Sequence, residues 1–199
     1  MKTLIDSRYV RVTTVLSPFS GMDKVNPEVL LNACIRGTKV HLICDAIVEG
    51  MGYPEDREIS GYIESFNKWC IGKQFVQKPE RFYCNEYMIT GELDLLYKNE
   101  TGLTLVDLKT SRVESKTWIL QGSAYSYMAK KENLNITKIE FVKLDKDGKE
   151  PKVFTYEEDF KLFLNCLETY NYFFKNKKEF CLYDYNDCAC CVCNVCKEN

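Results

Sequence analysis

The chain contains no apolar run long enough to cross a bilayer as a helix, and its opening, MKTLIDSRYVRV, lacks the apolar core of a signal peptide. A soluble, intracellular protein with no membrane partner is expected. Excess charge is also lacking: 27 Lys and Arg against 29 Asp and Glu leave −2. No global field draws such a chain to nucleic acid, so contact of that kind must rest on local clusters. Such clusters occur at Lys73, Lys78 and Arg81, at Lys109, Arg112 and Lys116, and at Lys130 and Lys131, and each taken alone reads as a solvated face. Internal repeats and linkers are missing, and 199 residues suit one sizeable α/β core. With 45% hydrophobic and 28% charged residues, the disordered class is excluded. Histidine occurs once, at His41.

Cysteine, by contrast, is abundant, with 11 in the chain. Cys34, Cys44, Cys70, Cys84 and Cys166 are scattered through apolar patterns and read as small buried hydrophobes. The others, Cys181, Cys188, Cys190, Cys191, Cys193 and Cys196, crowd the end of the chain. An intracellular address makes a disulfide framework the weaker explanation. Overlapping Cys-x-x-Cys pairs at 188/191, 190/193 and 193/196 suit zinc or an iron–sulfur cluster. The expected organisation is a single domain over residues 1–180 and a cysteine-rich tail over 181–199.

Periodicity sets out the elements. A β-prone stretch covers 9–15. A helix capped by Asn26 and Pro27 runs to about Val48, where Gly50 and Gly52 end it. Leu30, Cys34, Gly37, His41, Cys44 and Val48 recur at spacings of three and four, which puts His41 on the inward stripe. A histidine there is more often a satisfied core residue than a ligand, but Gly37, one turn earlier, is expected to permit close approach of another backbone. A scaffold helix follows over 56–69, then a β-rich segment over 74–87 around Pro79. Glu80 in that segment is either an edge-strand carboxylate or an acidic residue placed near the hairpin that follows.

That hairpin carries the chemistry. An alternating run over 88–97, a turn over 98–102 and an apolar run over 103–108 predict two antiparallel strands. Pairing Tyr97 with Leu103 or Thr104 places Asp94 opposite Val106 or Asp107. Period-two alternation sends Asp107 and Lys109 to one face. Two carboxylates this close repel unless a proton is shared or a cation lies between them, and oxygen ligands favour a hard ion, magnesium or manganese. The plain alternative is a surface ion pair of Asp107 and Lys109 with Asp94 on a solvated face. A helix over 114–131 puts Gln121 and Tyr125 on one face, and strands over 138–144 and 152–156 and a helix over 156–177 complete a mixed α/β layer architecture.

In order along the chain, RVTTVLS, RGTKVH, GELD, VDLKTS and QGSAY resemble the motifs of the PD-(D/E)XK nuclease superfamily, in its RecB-like branch of phage-type and mitochondrial genome maintenance exonucleases. The resemblance implies a restriction-endonuclease-like three-layer core, a mixed central β-sheet flanked by helices. It implies a magnesium- or manganese-dependent deoxyribonuclease, an exonuclease on single-stranded or end-containing DNA, working in the cytoplasm or, if phage-encoded, in that of the host. His41, Asp94, Asp107 and the backbone carbonyl of Leu108 would match the metal ligands, with Glu80 a looser match. Lys109 would sit beside the attacking water, and Gln121 and Tyr125 would order the site and touch the nucleic-acid backbone. Some relatives clamp an iron–sulfur cluster with terminal cysteines. This chain departs from that pattern, because its earliest cysteine, Cys34, lies only seven residues before His41. A subunit that keeps the nuclease fold only to bind nucleic acid or assemble is the alternative reading, against which all catalytic positions are filled.

Overall fold

The structure is a computed structural model that describes residues 6–175. The cysteine-rich tail, with Cys181, Cys188, Cys190, Cys191, Cys193 and Cys196, lies outside the described residues.

The β-prone stretch expected over 9–15 gives only the short strand β1 (Val10–Arg11), followed at once by helix α1 (Val12–Leu16). Val12, Val15 and Leu16 are all buried, a helical set that lets tertiary packing override the β-branched propensity of Val-Thr-Thr-Val. Helix α2 (Pro27–Val48) follows the expectation: the Asn26 side chain accepts from the N–H groups of Glu28 and Val29, and Gly50 adopts φ 70° just past the end. Helix α3 (Ser60–Cys70) begins later than expected, because the Asp56 carboxylate accepts the Glu58 N–H and makes a turn where the first helical turn would be.

Strands β2 (Phe75–Val76), β3 (Phe82–Cys84), β4 (Ile89–Gly91), β5 (Leu95–Lys98) and β6 (Leu103–Lys109) come next. They are followed by helix α4 (Thr117–Lys131), strands β7 (Ile136–Lys143) and β8 (Lys152–Tyr156), and helix α5 (Phe160–Phe173). Helix α5 starts at Asp159, whose side chain accepts the Leu162 N–H at 3.0 Å.

The run over 88–97 is not one strand. It breaks at 92–94, so that β4 joins a three-stranded sheet in the order β1-β4-β3 while β5 enters a five-stranded sheet in the order β2-β5-β6-β7-β8. In the larger sheet β6 and β7 run parallel, with α4 as their crossover, and the other neighbours are antiparallel. Alternation along its central strands separates two apolar layers. Leu105, Ile139 and Phe141 pack with residues of α1, α4 and α5, whereas Val106, Leu108 and Val142 pack with residues of α2 and α3. The result is the expected three-layer core, helices on both faces of a mixed sheet.

Candidate active site

The register of the β5–β6 hairpin is Tyr97↔Thr104 and Leu95↔Val106, so one step further along brings Asp94 level with Asp107. Asp94 sits in the bend just before β5, where its side chain is free of the ladder. Its Oδ2 accepts the backbone N–H of Leu108 at 2.6 Å, and its Oδ1 lies 2.9 Å from His41 Nδ1. A carboxylate only accepts, so His41 donates from Nδ1, which leaves the lone pair on Nε2 available to an ion. The Lys109 carbonyl is taken by the Leu144 N–H on the β7 side. Alternation therefore turns the Leu108 carbonyl to the other side, with its own N–H and towards Asp94.

Asp107 is buried on the opposite layer, beneath α4. Gly122 lets that helix lie close: a Cβ there would stand 2.6 Å from Ile139 Cγ2 on β7. Gln121 reaches down as a result. Its Nε2 donates to Asp107 Oδ1 at 2.7 Å and to the Tyr125 hydroxyl at 3.2 Å, while its Oε1 accepts from Lys109 Nζ at 3.1 Å. Lys109 Nζ also stands 2.6 Å from Asp107 Oδ2, yet that oxygen has no hydrogen-bond partner. Distance and direction disagree here, and we read the contact as an ion pair whose geometry is too oblique for a directed hydrogen bond.

Titration follows the surroundings. Burial pushes the Asp107 carboxyl up to about 6, with Asp94 adding to the rise and Lys109 opposing it. Burial works the same way on Asp94, but His41, the Leu108 N–H and Lys109 outweigh it and hold that carboxyl below its usual range. For His41, burial opposes the charge and the two aspartates overcome it, so the imidazole is raised. Burial beside Asp107 raises the Tyr125 phenol, which stays protonated.

The structure thus brings together His41, Asp94, Leu108, Asp107, Lys109, Gln121 and Tyr125. Glu80 is exposed in the bend before β3. Gly37 is buried, but what it approaches is a side chain and not a backbone: a Cβ there would meet Thr110 Oγ1 at an ordinary 3.5 Å. One acidic residue went unnoticed. Asp45, one turn beyond His41 on α2, is pushed up to about 6 by burial, with Asp94 adding to the rise and Lys78 and His41 opposing it. The i, i+4 spacing from His41 was the available signal.

Among the described residues no three His, Cys, Asp or Glu side chains are gathered as a cage for an ion. The donors nevertheless suit a hard divalent cation: two carboxylates, a backbone carbonyl, an imidazole nitrogen, and in Asp107 Oδ2 a buried oxygen without a hydrogen bond.

No family profile matches the chain, and no curated protein does. Among solved structures it is similar to SSO0001, at 14% identity and a TM-score of 0.44 over 83% of this chain and 76% of that one. It is also similar to an alkaline exonuclease from Laribacter hongkongensis, LHK-Exo, at 13% identity and a TM-score of 0.43 over 84% of this chain and 92% of that one. The complex of LHK-Exo with dAMP gives a TM-score of 0.36 at 13% identity, over 81% and 83% of the two chains.

Proposed function

We propose that this chain is a magnesium- or manganese-dependent deoxyribonuclease, an exonuclease acting on single-stranded or end-containing DNA. One observation carries the reading: Asp94, a half-buried carboxylate in the bend before β5, and Asp107, a buried one on β6, stand level with each other beside Lys109, and Asp107 Oδ2 lacks a hydrogen bond. A fold gains nothing from burying two neighbouring carboxylates unless a cation repays their desolvation. The order of RVTTVLS, RGTKVH, GELD, VDLKTS and QGSAY supports the same reading.

Asp94, Asp107, the Leu108 carbonyl and His41 would hold the ion. When bound, a divalent cation supplies a more acidic water and offsets the negative charge that builds on a phosphodiester under attack. The chain's own residues do the rest. Leu108 N–H and His41 fix both oxygens of Asp94, and Gln121 fixes one oxygen of Asp107, so the carboxylates are oriented before substrate arrives. Lys109 places a positive ammonium beside the water, where it hydrogen-bonds the nucleophile and offsets phosphate charge. The water gives up a proton to solvent as its oxygen forms the new P–O bond, the old ester P–O bond breaks, and the departing oxygen takes up a proton from solvent. Exposed Arg112 and Lys116, just past β6, are placed to meet backbone phosphates.

The test is incubation with end-labelled linear and closed circular DNA in magnesium or manganese, beside Asp107→Ala and Lys109→Ala. Loss of label from linear DNA only, absent in both variants, is expected. Variants that cleave like the parent would remove the site assignment, and cutting of the circle would make the enzyme an endonuclease.

A further inference from the structure

Each carboxylate already faces a basic side chain of the protein: His41 stands 2.9 Å from Asp94 Oδ1, and the Lys109 ammonium 2.6 Å from Asp107 Oδ2. The two contacts differ in kind. His41 makes a directed hydrogen bond, whereas Asp107 Oδ2 receives none, and the bond that Lys109 does direct goes to Gln121 Oε1 at 3.1 Å. The ammonium also stands 5.3 Å from the Phe141 ring centroid and 5.9 Å from that of Trp118, two rings stacked on each other. Lys109 therefore has anchors that do not depend on Asp107.

We propose that Lys109 is a built-in counter-ion, which fills the divalent cation's place at Asp107 Oδ2 in the ion-free protein and surrenders that oxygen when the cation arrives. The proposal rests on the metal-dependent reading of the site. A buried carboxylate left bare is costly, and Asp94 alongside makes it costlier. An internal ammonium neutralises Asp107 as a close ion pair, and an incoming ion that takes its place supplies the same sign of charge. Gln121 makes the exchange orderly, because it binds Asp107 Oδ1 through Nε2 and Lys109 through Oε1. Both groups stay beside the site after they part.

The consequence is competition: the lysine weakens ion binding and protects the ion-free fold. EDTA-treated full-length protein is titrated with manganese alone in a calorimeter, and only heat that disappears in Asp107→Ala is counted. Lys109→Met should bind manganese about tenfold more tightly than wild type, whereas Lys109→Arg, which keeps the charge, should stay within about threefold of it. In EDTA the thermal midpoint of Lys109→Met should fall below that of wild type, and the deficit should close at saturating manganese. Lys143→Met, which removes a positive charge anchored on the Arg112 carbonyl, should not tighten binding. Equal or weaker binding by Lys109→Met, or equal tightening in Lys143→Met, would overturn the counter-ion. Should Lys109→Met not fold in EDTA, Lys109→Gln takes its place under the same criteria. A wild type with no Asp107-dependent heat would remove the metal-dependent reading as well.

Discussion

Gly91 packs so closely on Tyr125 that a Cβ added to it would stand 2.4 Å from the ring's Cε1 and 2.9 Å from Met128 Cε. This contact ties the small sheet to α4 at the point where the chain leaves β4 and turns towards Asp94. Tyr125 accepts from Gln121, which in turn holds Asp107, so the contact reaches the site in two steps.

Gly91→Ala should therefore be felt twice. Overpacking at a site with no room costs about 1–3 kcal/mol, readable as a lower urea midpoint at unchanged m-value. Cleavage should fall as well, because the ring that positions Gln121 has to move. An unchanged midpoint would contradict the packing.

Gln121→Leu removes a side chain that hydrogen-bonds both Asp107 and Lys109. Asp107 Oδ1 is then left buried without this donor, at a cost of about 1–3 kcal/mol in denaturant unfolding, and nuclease activity should be lost with it. Full activity in a correctly folded variant would show that Lys109 alone orients the aspartate.

His41→Ala takes the donor from Asp94 Oδ1 and the nitrogen that faces an ion. Loss of a group that orients or ligates at this distance typically costs about 10- to 100-fold in activity or metal affinity. The measurement is initial cleavage rate across manganese concentrations, where a shifted half-saturation is expected.

Asp45 supplies a pH signature. Its folded carboxyl sits near 6 against an ordinary 3.8, so the folded state binds that proton more tightly than the unfolded chain does. The stability it contributes is complete below about 3.8 and is lost as pH rises through about 6. Asp45→Asn, always neutral, should then unfold at a higher temperature than wild type at neutral pH. The gap should narrow towards pH 4 in a melting series, and a gap that widened on acidification would reverse the assignment.

Gly61→Ala probes the far side of the molecule. A Cβ there would stand 1.9 Å from the Lys146 carbonyl oxygen, a backbone atom held in place because the Asp145 N–H donates to Ser65 Oγ. The turn joining β7 and β8 must lift off α3, at a cost of roughly 1–3 kcal/mol in thermal or urea unfolding. Cleavage per folded molecule should be unchanged, since none of the site residues lies on that turn.

Much of the site was legible in the sequence because its signals are local. Asn26 and Pro27 announce a helix start, and a spacing of three and four carries His41 to the inner stripe of α2. The period of two in β6 assigns Asp107 and Lys109 to one face, and the spacing of four in α4 aligns Gln121 with Tyr125. What stayed hidden depends on distant neighbours. Nothing local distinguishes the run over 88–97 from one continuous strand, because the break at 92–94 follows from which sheet each half can join. Likewise, Val-Thr-Thr-Val favours a strand until the burial of Val12, Val15 and Leu16 makes it a helix.

The sequence by itself determined the longer helices, the alternation and the residue types, since capping, periodicity and side-chain chemistry act within a few residues of the chain. Tertiary structure alone decided that Tyr97 pairs with Thr104 rather than Leu103, which brings Asp94 level with Asp107. It also decided that Lys109 meets Asp107 as an ion pair while bonding Gln121, and that Asp45 lies close enough to feel Asp94. Those outcomes depend on strand register, helix approach and burial, which are set by contacts between parts of the chain remote in sequence.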